Sequence, residues 1–314
     1  MVERLRRLLI EEGACAAGIA VAQPVDEETR RLFKQWLADG KEAGMDFLAS
    51  NQELRFDPRL LLEDARSIIS VAYNYRQPNP LAGVATYALG LDYHQVLRER
   101  LNRVVKKLKA EFGGEFRICI DSAPVMERYW AEKAGVGYRS PLHGNIVVPG
   151  VGSMVFLAEI ITTHEFEPGS HGKGIIQPEI KSQDRMENSG KSPCPCRALE
   201  SNGIIDSRKC INYLTIEHRG EWDAEQRTLM GRPGAESAVF GCDLCQLADP
   251  VNHSDFPHII PEFRCNENLN DYLSNLKREL ETGIPASPAA GFSLRRSPLG
   301  RAGRKGLKRN LGSR

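Results

Sequence analysis

Leu5, Leu8 and Leu9 recur at helical spacing near the start of the chain, and Gly13 follows at a C-cap position, predicting a helix over 3–13. The run 16–22 (Ala-Ala-Gly-Ile-Ala-Val-Ala) reads as a short buried strand. Over 26–43, Leu32, Phe33, Trp36 and Leu37 share one face of a second helix. The branched apolar run 67–73 (Ser-Ile-Ile-Ser-Val-Ala-Tyr) predicts a strand, and 95–112 a helix with many basic residues. A strand over 116–121 ends in a carboxylate, Asp121, and 122–137 continues as a helix. On local grounds Asp121 would cap that helix, with Pro124 in its first turn. Two further strands are expected at 145–148 and 152–162.

These elements mix helix and strand throughout, so residues 1–163 are expected to form one α/β domain. The pattern then breaks. From 164 to 193 Gly, Ser, Pro, Lys and Glu dominate, Ile175-Ile176 being the one apolar pair of note, and the stretch reads as an exposed polar connector. Gly190-Lys-Ser192 within it is not a phosphate-binding loop, because Arg185 stands where the first glycine belongs.

Charge narrows the class only slightly. Of 314 residues, 42 are Lys or Arg and 41 Asp or Glu, so no global polyelectrolyte signal exists. A hydrophobic fraction of 41% suits a soluble globular chain of two domains. No apolar run approaches the ~20 residues of a membrane span, and the first residues lack a signal-peptide core. A reducing, cytoplasmic setting is expected, in which clustered cysteines bind metal sooner than form disulfides.

Five of the eight cysteines fall between 194 and 245. Cys242-Asp-Leu-Cys245 is a C-x-x-C pair able to place two thiolates on one centre, and Cys194 precedes Pro195 as in ferredoxin-type cysteine runs. Cys210 completes a set of four. Zinc accepts the same four thiolates. Zinc ribbons, however, usually show two C-x-x-C pairs, and Cys194-Pro-Cys196 is a stiff substitute for one. Cys15 and Cys119 lie in apolar text and read as core, and Cys265 as a non-ligand.

Residues 208–217 (Arg-Lys-Cys-Ile-Asn-Tyr-Leu-Thr-Ile-Glu) and 240–246 (Phe-Gly-Cys-Asp-Leu-Cys-Gln) resemble the iron–sulfur part of epoxyqueuosine reductases. So do 87–94 (Tyr-Ala-Leu-Gly-Leu-Asp-Tyr-His) and the Asp-Ser-Ala-Pro-x-x-Glu-Arg of 121–128. The resemblance implies a cobalamin-binding α/β domain followed by a ferredoxin-like domain over 194–265. It also implies two [4Fe–4S] clusters, and here the chain departs from the pattern. No Cys-x-x-Cys-x-x-Cys precedes Cys194, and Asp249-Pro250 stands where the second run closes with Cys-Pro. Under crossed ligation the missing cysteines all belong to one cluster, and Cys194, Cys210, Cys242 and Cys245 all belong to the other. One cluster site is expected and one lost.

The resemblance further implies that Asp121 is the general acid above the cobalamin. Arg55, Asp121, Glu127, Arg128 and Tyr213 are the implied cofactor contacts. An acid must hold its proton near pH 7, so burial is expected to raise the Asp121 pKa. His94 is expected to cap or pack, because Leu97 occupies the glycine position of the corrinoid Asp-x-His-x-x-Gly motif. The family's Gly-Trp-x-Gly-Lys-His becomes 137–143 (Gly-Tyr-Arg-Ser-Pro-Leu-His), which lacks the lysine. Residues 266–314 are expected to be helical with a basic tail. From 295 to 314 there are eight Lys or Arg and no acid, including a Ser-Pro-Leu-x-Arg at 297–301 that in the family lies in the tRNA-binding part.

The implied activity is reduction of epoxyqueuosine to queuosine in a tRNA anticodon loop, by a monomer served by an external electron donor. The alternatives are a corrinoid- or tRNA-binding homologue impaired by the loss of one cluster, and a related reductase with another substrate.

Overall fold

The computed structural model describes residues 1–78, 81–168, 174–177, 193–200, 203–253, 259–285 and 290–312. Strands β1 (Ala16–Val21), β2 (Ser67–Asn74), β3 (Phe116–Cys119), β4 (Tyr138–Arg139), β5 (Ile146–Val147) and β6 (Val155–Thr162) make two sheets. The main sheet runs β1-β2-β6-β3, every neighbour antiparallel, with Ile69 opposite Ile160 and Cys119 opposite Glu159. β4 and β5 form a separate small ribbon.

β2 is buried along its whole length, which is why its sequence is a continuous apolar run and not an alternation. One face of the sheet packs Ile19, Ile69, Val71 and Ile160 against Leu5, Leu8 and Leu9 of α1 (Val2–Glu11). Val96, Leu97, Leu101, Val104 and Leu108 of the later helix over 93–112 complete that face. Each such fully buried side chain contributes about 1.5–3 kcal/mol. The apolar face expected of α2 (Glu27–Ala38) is real but not buried. Phe33 lies edge-on to Phe56 of α3 (Gln52–Phe56) at 5.7 Å, and Leu32 is exposed.

The helix over 93–112 is α4 (Tyr93–Phe112), capped by Asp92. The opposite face of the sheet packs Ala16, Ala20, Ile68 and Ile161 against Tyr129, Trp130 and Ala134. Those residues belong to α5 (Glu127–Lys133) and its C-terminal turn. Gly18 permits this approach, since a Cβ there would meet the Ala134 carbonyl oxygen at 1.9 Å. α5 begins at Glu127, after a turn, and not at residue 122. Asp121 therefore does not cap it; Met126 occupies that position.

Most of the polar connector lies outside the described residues. Its apolar pair is docked, however: Ile176 is buried and exchanges backbone hydrogen bonds with Ala17 at 3.0 and 3.2 Å, extending the β1 edge.

The C-terminal half contributes α6 (Ala224–Met230), α7 (Leu244–Leu247), α8 (Leu269–Thr282) and α9 (Gly303–Gly312). Leu269, Leu273 and Leu276 of α8 pack with Leu307 and Leu311 of α9 and with Val84, Ala88 and Leu89 from the first half. Phe263 returns the exchange by packing beneath Phe156 at 4.7 Å. The basic tail is thus a folded helix. Arg309 is buried, donating to the carbonyls of His218, Gly220 and Leu214 and lying 5.0 Å over the Trp222 ring. Lys308 and Arg304 are both paired with Glu279. These three side chains are engaged within the fold.

Candidate active site

The N-terminus of α4 is the first wall of the site. Asp92 accepts the His94 backbone N–H at 2.9 Å and faces His94 Nδ1 at 2.8 Å. The other ring nitrogen, Nε2, stands 3.1 Å from Asp121 Oδ2. Tyr93 stacks on Phe156 with ring centroids 4.4 Å apart, and its hydroxyl donates to Asp121 Oδ2 at 2.8 Å. Asp121 follows β3 in the left-handed region, with φ +47°, a conformation Asp adopts more readily than most residues. Its backbone N–H donates to Glu127 Oε1 at 2.6 Å. Residues from α4, the β3–α5 turn and α5 thus meet at one carboxylate.

Electrostatics decide where the protons sit. Desolvation pushes Asp121 upward, but the hydrogen bonds from His94 and Tyr93 and the charges of His94 and Arg301 outweigh it, leaving its pKa below the ordinary value. Its side chain is also 58% exposed, so water helps hold the charge. Burial would lower His94, yet the hydrogen bonds to Asp121 and Asp92 carry it up to about 9. Glu127 is pushed up to about 8 by desolvation and then by the charge of Asp121. Near pH 7 the acid proton expected on Asp121 therefore resides on His94, and Glu127 keeps its own. A third carboxyl, Glu159, is fully buried on β6, accepts from Ser70 Oγ at 3.3 Å and is raised well above its ordinary value by desolvation.

Asp121, Glu127 and Arg128 line one pocket of about 250 Å³ with Tyr75, Tyr87, Tyr93, Asn145, Ser153, Phe156 and Gln246. Arg128 lies on the pocket wall, its pKa lowered by desolvation and by Arg139, and it reaches the Gly144 carbonyl at 3.4 Å. Arg55 lies on α3 with its guanidinium 5.8 Å over Phe33, close enough for its charge to act on Glu127's. Its Nε is buried with no hydrogen-bond partner. Tyr213 does not join this group. It follows Cys210, and its hydroxyl accepts the Gly44 N–H at 3.0 Å. Arg301, on the Ser-Pro-Leu-x-Arg segment, does not line the pocket but acts on it electrostatically. Clamped on Glu217 by two 2.7 Å hydrogen bonds, it brings its charge to bear on Asp121 and Tyr93.

The pocket is too small for a whole corrin and suits the part of a ligand that reacts. Arg55 Nε, buried without a partner, and Arg128, with one long contact, are donors awaiting acceptors such as amide oxygens. On that donor chemistry the residues fit a corrin.

The cysteines gather in the second half of the chain. Cys194, Cys210 and Cys242 pack on one apolar cluster with Tyr213, Leu214, Trp222 and Leu229. Cys245 is within electrostatic reach of Cys194 and Cys210. Cys194 Sγ accepts the Ala198 N–H at 3.4 Å, as a thiolate can. Cys196 Sγ donates to the Leu229 carbonyl at 3.4 Å, which requires a thiol, and burial pushes it up to about 11. Burial also raises Cys210 and Cys242, countered by backbone N–H groups of Asn212 and Tyr213 and of Leu244. Among the described residues no three His, Cys, Asp or Glu converge as a single metal ion requires. One zinc would draw the sulfurs to about 2.3 Å from a point; a four-iron cluster interposes an iron before each sulfur and holds them further apart. Four half-buried thiols with N–H donors fit such a cluster. Cys245 also reaches Tyr75 and Arg128 electrostatically, so the set adjoins the pocket wall.

Sequence reasoning passed over Tyr93 and His94 as site residues. The signal was there, in the Tyr87–His94 text, but His94 was assigned to capping or packing.

The family profile described as epoxyqueuosine reductase QueG, DUF1730, matches residues 55–122. The epoxyqueuosine reductase of Leadbetterella byssophila is 31% identical over 306 residues, 96% of this chain and 94% of that protein. That of Cellulophaga algicola is 32% identical over 310 residues, again 96% and 94%. The structure of the epoxyqueuosine reductase of Streptococcus thermophilus superposes with a TM-score of 0.75 at 25% identity, covering 98% of this chain and 78% of that one. An epoxyqueuosine reductase structure with a tRNA-Tyr epoxyqueuosine-modified tRNA stem loop gives 0.73 at 27% identity, covering 99% and 80%. On this near-complete likeness, the chain belongs to the epoxyqueuosine reductase family.

Proposed function

We propose that this chain reduces epoxyqueuosine to queuosine in a tRNA anticodon loop, using cobalamin and one [4Fe–4S] cluster. The observation that carries the reading is Asp121 on the pocket wall, hydrogen-bonded to both Tyr93 and His94, in a chain alike over nearly its whole length to epoxyqueuosine reductases. Cys194, Cys210, Cys242 and Cys245 would hold the cluster. Arg55, Glu127 and Arg128 would contact the corrin, and Tyr213 would brace the cluster side through Gly44. When bound, the corrin cobalt supplies the reducing centre for the epoxide and the cluster supplies its electrons.

The chain's own residues handle the proton. Opening the epoxide leaves an oxygen bearing negative charge that needs protonation. His94 holds a proton at neutral pH and hands it from Nε2 to Asp121 Oδ2, 3.1 Å away; Asp121 passes it to the oxygen in the pocket. Tyr93 fixes the carboxylate's orientation meanwhile. Glu127 supports a second reading of the donor, since it lines the pocket and keeps its proton up to about 8. Arg301, whose charge reaches Asp121, adds a cation for the nucleic-acid backbone.

The test is anaerobic incubation of reconstituted protein, a chemical reductant and an epoxyqueuosine-bearing stem loop, followed by nucleoside analysis. Queuosine formation supports the reading. Its absence with both cofactors bound favours an impaired binding homologue, a reading that the aspartate at position 249 also makes natural.

A further inference from the structure

His143 and Asp249 are both fully buried, and His143 Nε2 lies 3.2 Å from Asp249 Oδ2. Two loops far apart in sequence meet there: the β4–β5 connection and the turn after α7. Their surroundings make the pairing specific. The Asn145 backbone N–H donates to His143 Nδ1 at 3.2 Å, so that nitrogen carries no proton and the ring's N–H must be Nε2. That N–H has Asp249 as its near neighbour, off the line of an ideal hydrogen bond, and no better partner among the described residues. Ser140 Oγ donates to the same carboxylate oxygen at 3.3 Å, and Ser140 N–H donates to the Asn145 carbonyl at 2.9 Å. Asp249 Oδ1 accepts the Val251 N–H at 3.2 Å.

On one side of this contact lies the pocket wall. Asn145 and Ile146 line the pocket, and the carbonyl of Gly144 is the acceptor for Arg128. On the other side lies the cysteine turn. Asn252 donates to the Gln246 carbonyl at 2.7 Å and to Ser153 Oγ at 2.8 Å, and Gln246, next to Cys245, lines the same pocket. A buried polar contact of this kind fixes two elements relative to one another more sharply than apolar packing does.

We infer that His143 and Asp249 form a latch that positions the Arg128–Asn145 wall of the pocket against the Cys245–Gln246 turn, and so sets the affinity of the pocket for its corrin. They are positioning residues, since neither lines the pocket. The inference rests on the proposed function for the identity of the ligand, though not for the existence of the latch. The position matters because Asp249 stands where a cysteine would otherwise close the second run. The chain has a buried imidazole–carboxylate contact at that point in place of a metal–sulfur bond.

The test uses full-length protein reconstituted with iron and sulfide, titrated with hydroxocobalamin by absorbance, with amide hydrogen exchange read in parallel. In His143→Ala, iron per chain stays at the wild-type level, exchange accelerates at 144–146 but not in β2, and the cobalamin Kd rises about tenfold. His143→Gln, which keeps an N–H for Asp249, restores the Kd to within about threefold of wild type. An unchanged Kd and unchanged exchange in His143→Ala overturn the latch, as does a weakened Kd that His143→Gln does not rescue. If His143→Ala does not fold, Asp249→Asn replaces it, with the same signs and a rise in Kd of at least about threefold expected, and no change counting against. Cobalamin binding without turnover of the stem loop sinks the functional reading and leaves the latch intact. If wild-type protein binds no hydroxocobalamin, the functional reading falls and the exchange result alone decides the latch.

Discussion

His94 Nε2 lies 3.1 Å from Asp121 Oδ2, and the pair shares one proton that near neutrality belongs to the imidazole. Asp121→Asn keeps the shape, tolerates the positive φ and still accepts from Tyr93, but cannot relay a proton. The variant is expected to fold, to retain iron and corrin, and to lose about a hundredfold or more in turnover. Normal turnover would remove Asp121 from the proton path.

The pH profile separates the two candidate donors. His94 is raised from its ordinary 6.5 to about 9, so its protonated form is fully present at neutrality and is lost as pH rises through about 9. Glu127 is lost as an acid one unit earlier, through about 8. The His94–Asp121 path predicts that kcat falls through about 9 and that Glu127→Gln leaves this limb in place. A limb near 8 that disappears in Glu127→Gln would make Glu127 the donor.

Ligation is tested one sulfur at a time. Cys194, which accepts an N–H, and Cys210, Cys242 and Cys245 should each abolish cluster binding when changed to Ser. Cys196→Ser should retain it, because Cys196 is a buried thiol already donating to Leu229. Iron analysis and visible absorbance decide. Full iron in Cys194→Ser with loss in Cys196→Ser would reverse the assignment.

Arg309 belongs to stability and not to RNA binding. Removing it takes a donor from the carbonyls of His218, Gly220 and Leu214, of which Leu214 keeps the Trp222 indole N–H. Arg309→Ala should lower the unfolding free energy by about 3 kcal/mol in urea titration. Arg309→Lys should recover little, since one ammonium cannot reproduce the fork. Near-wild-type stability in Arg309→Ala would return this side chain to the surface.

These residues also show how far the chain could be read unaided. β2 was legible because its burial on both faces leaves an unbroken branched apolar run. Asp121, Glu127 and Arg128 were legible as a group because they share one short stretch, and the pocket keeps them together. The role of His94 was not legible, because its contact with Asp121 spans 27 residues and depends on how α4 docks on the sheet. The late start of α5 follows from the positive φ of Asp121, which no local propensity demands. The partners of the basic tail were not legible for a related reason. Its charge is visible in sequence, whereas the one acid that pairs with both Arg304 and Lys308, Glu279, lies on α8.

The most direct test combines composition and chemistry on one preparation. Protein reconstituted anaerobically should carry about four irons, the content of a single [4Fe–4S] cluster, with one corrin per chain. The same sample, given a reductant and an epoxyqueuosine-modified stem loop, should yield an RNA lighter by one oxygen in mass spectrometry. An unchanged RNA mass from protein carrying that full complement would contradict the proposal that this chain reduces epoxyqueuosine with one cluster.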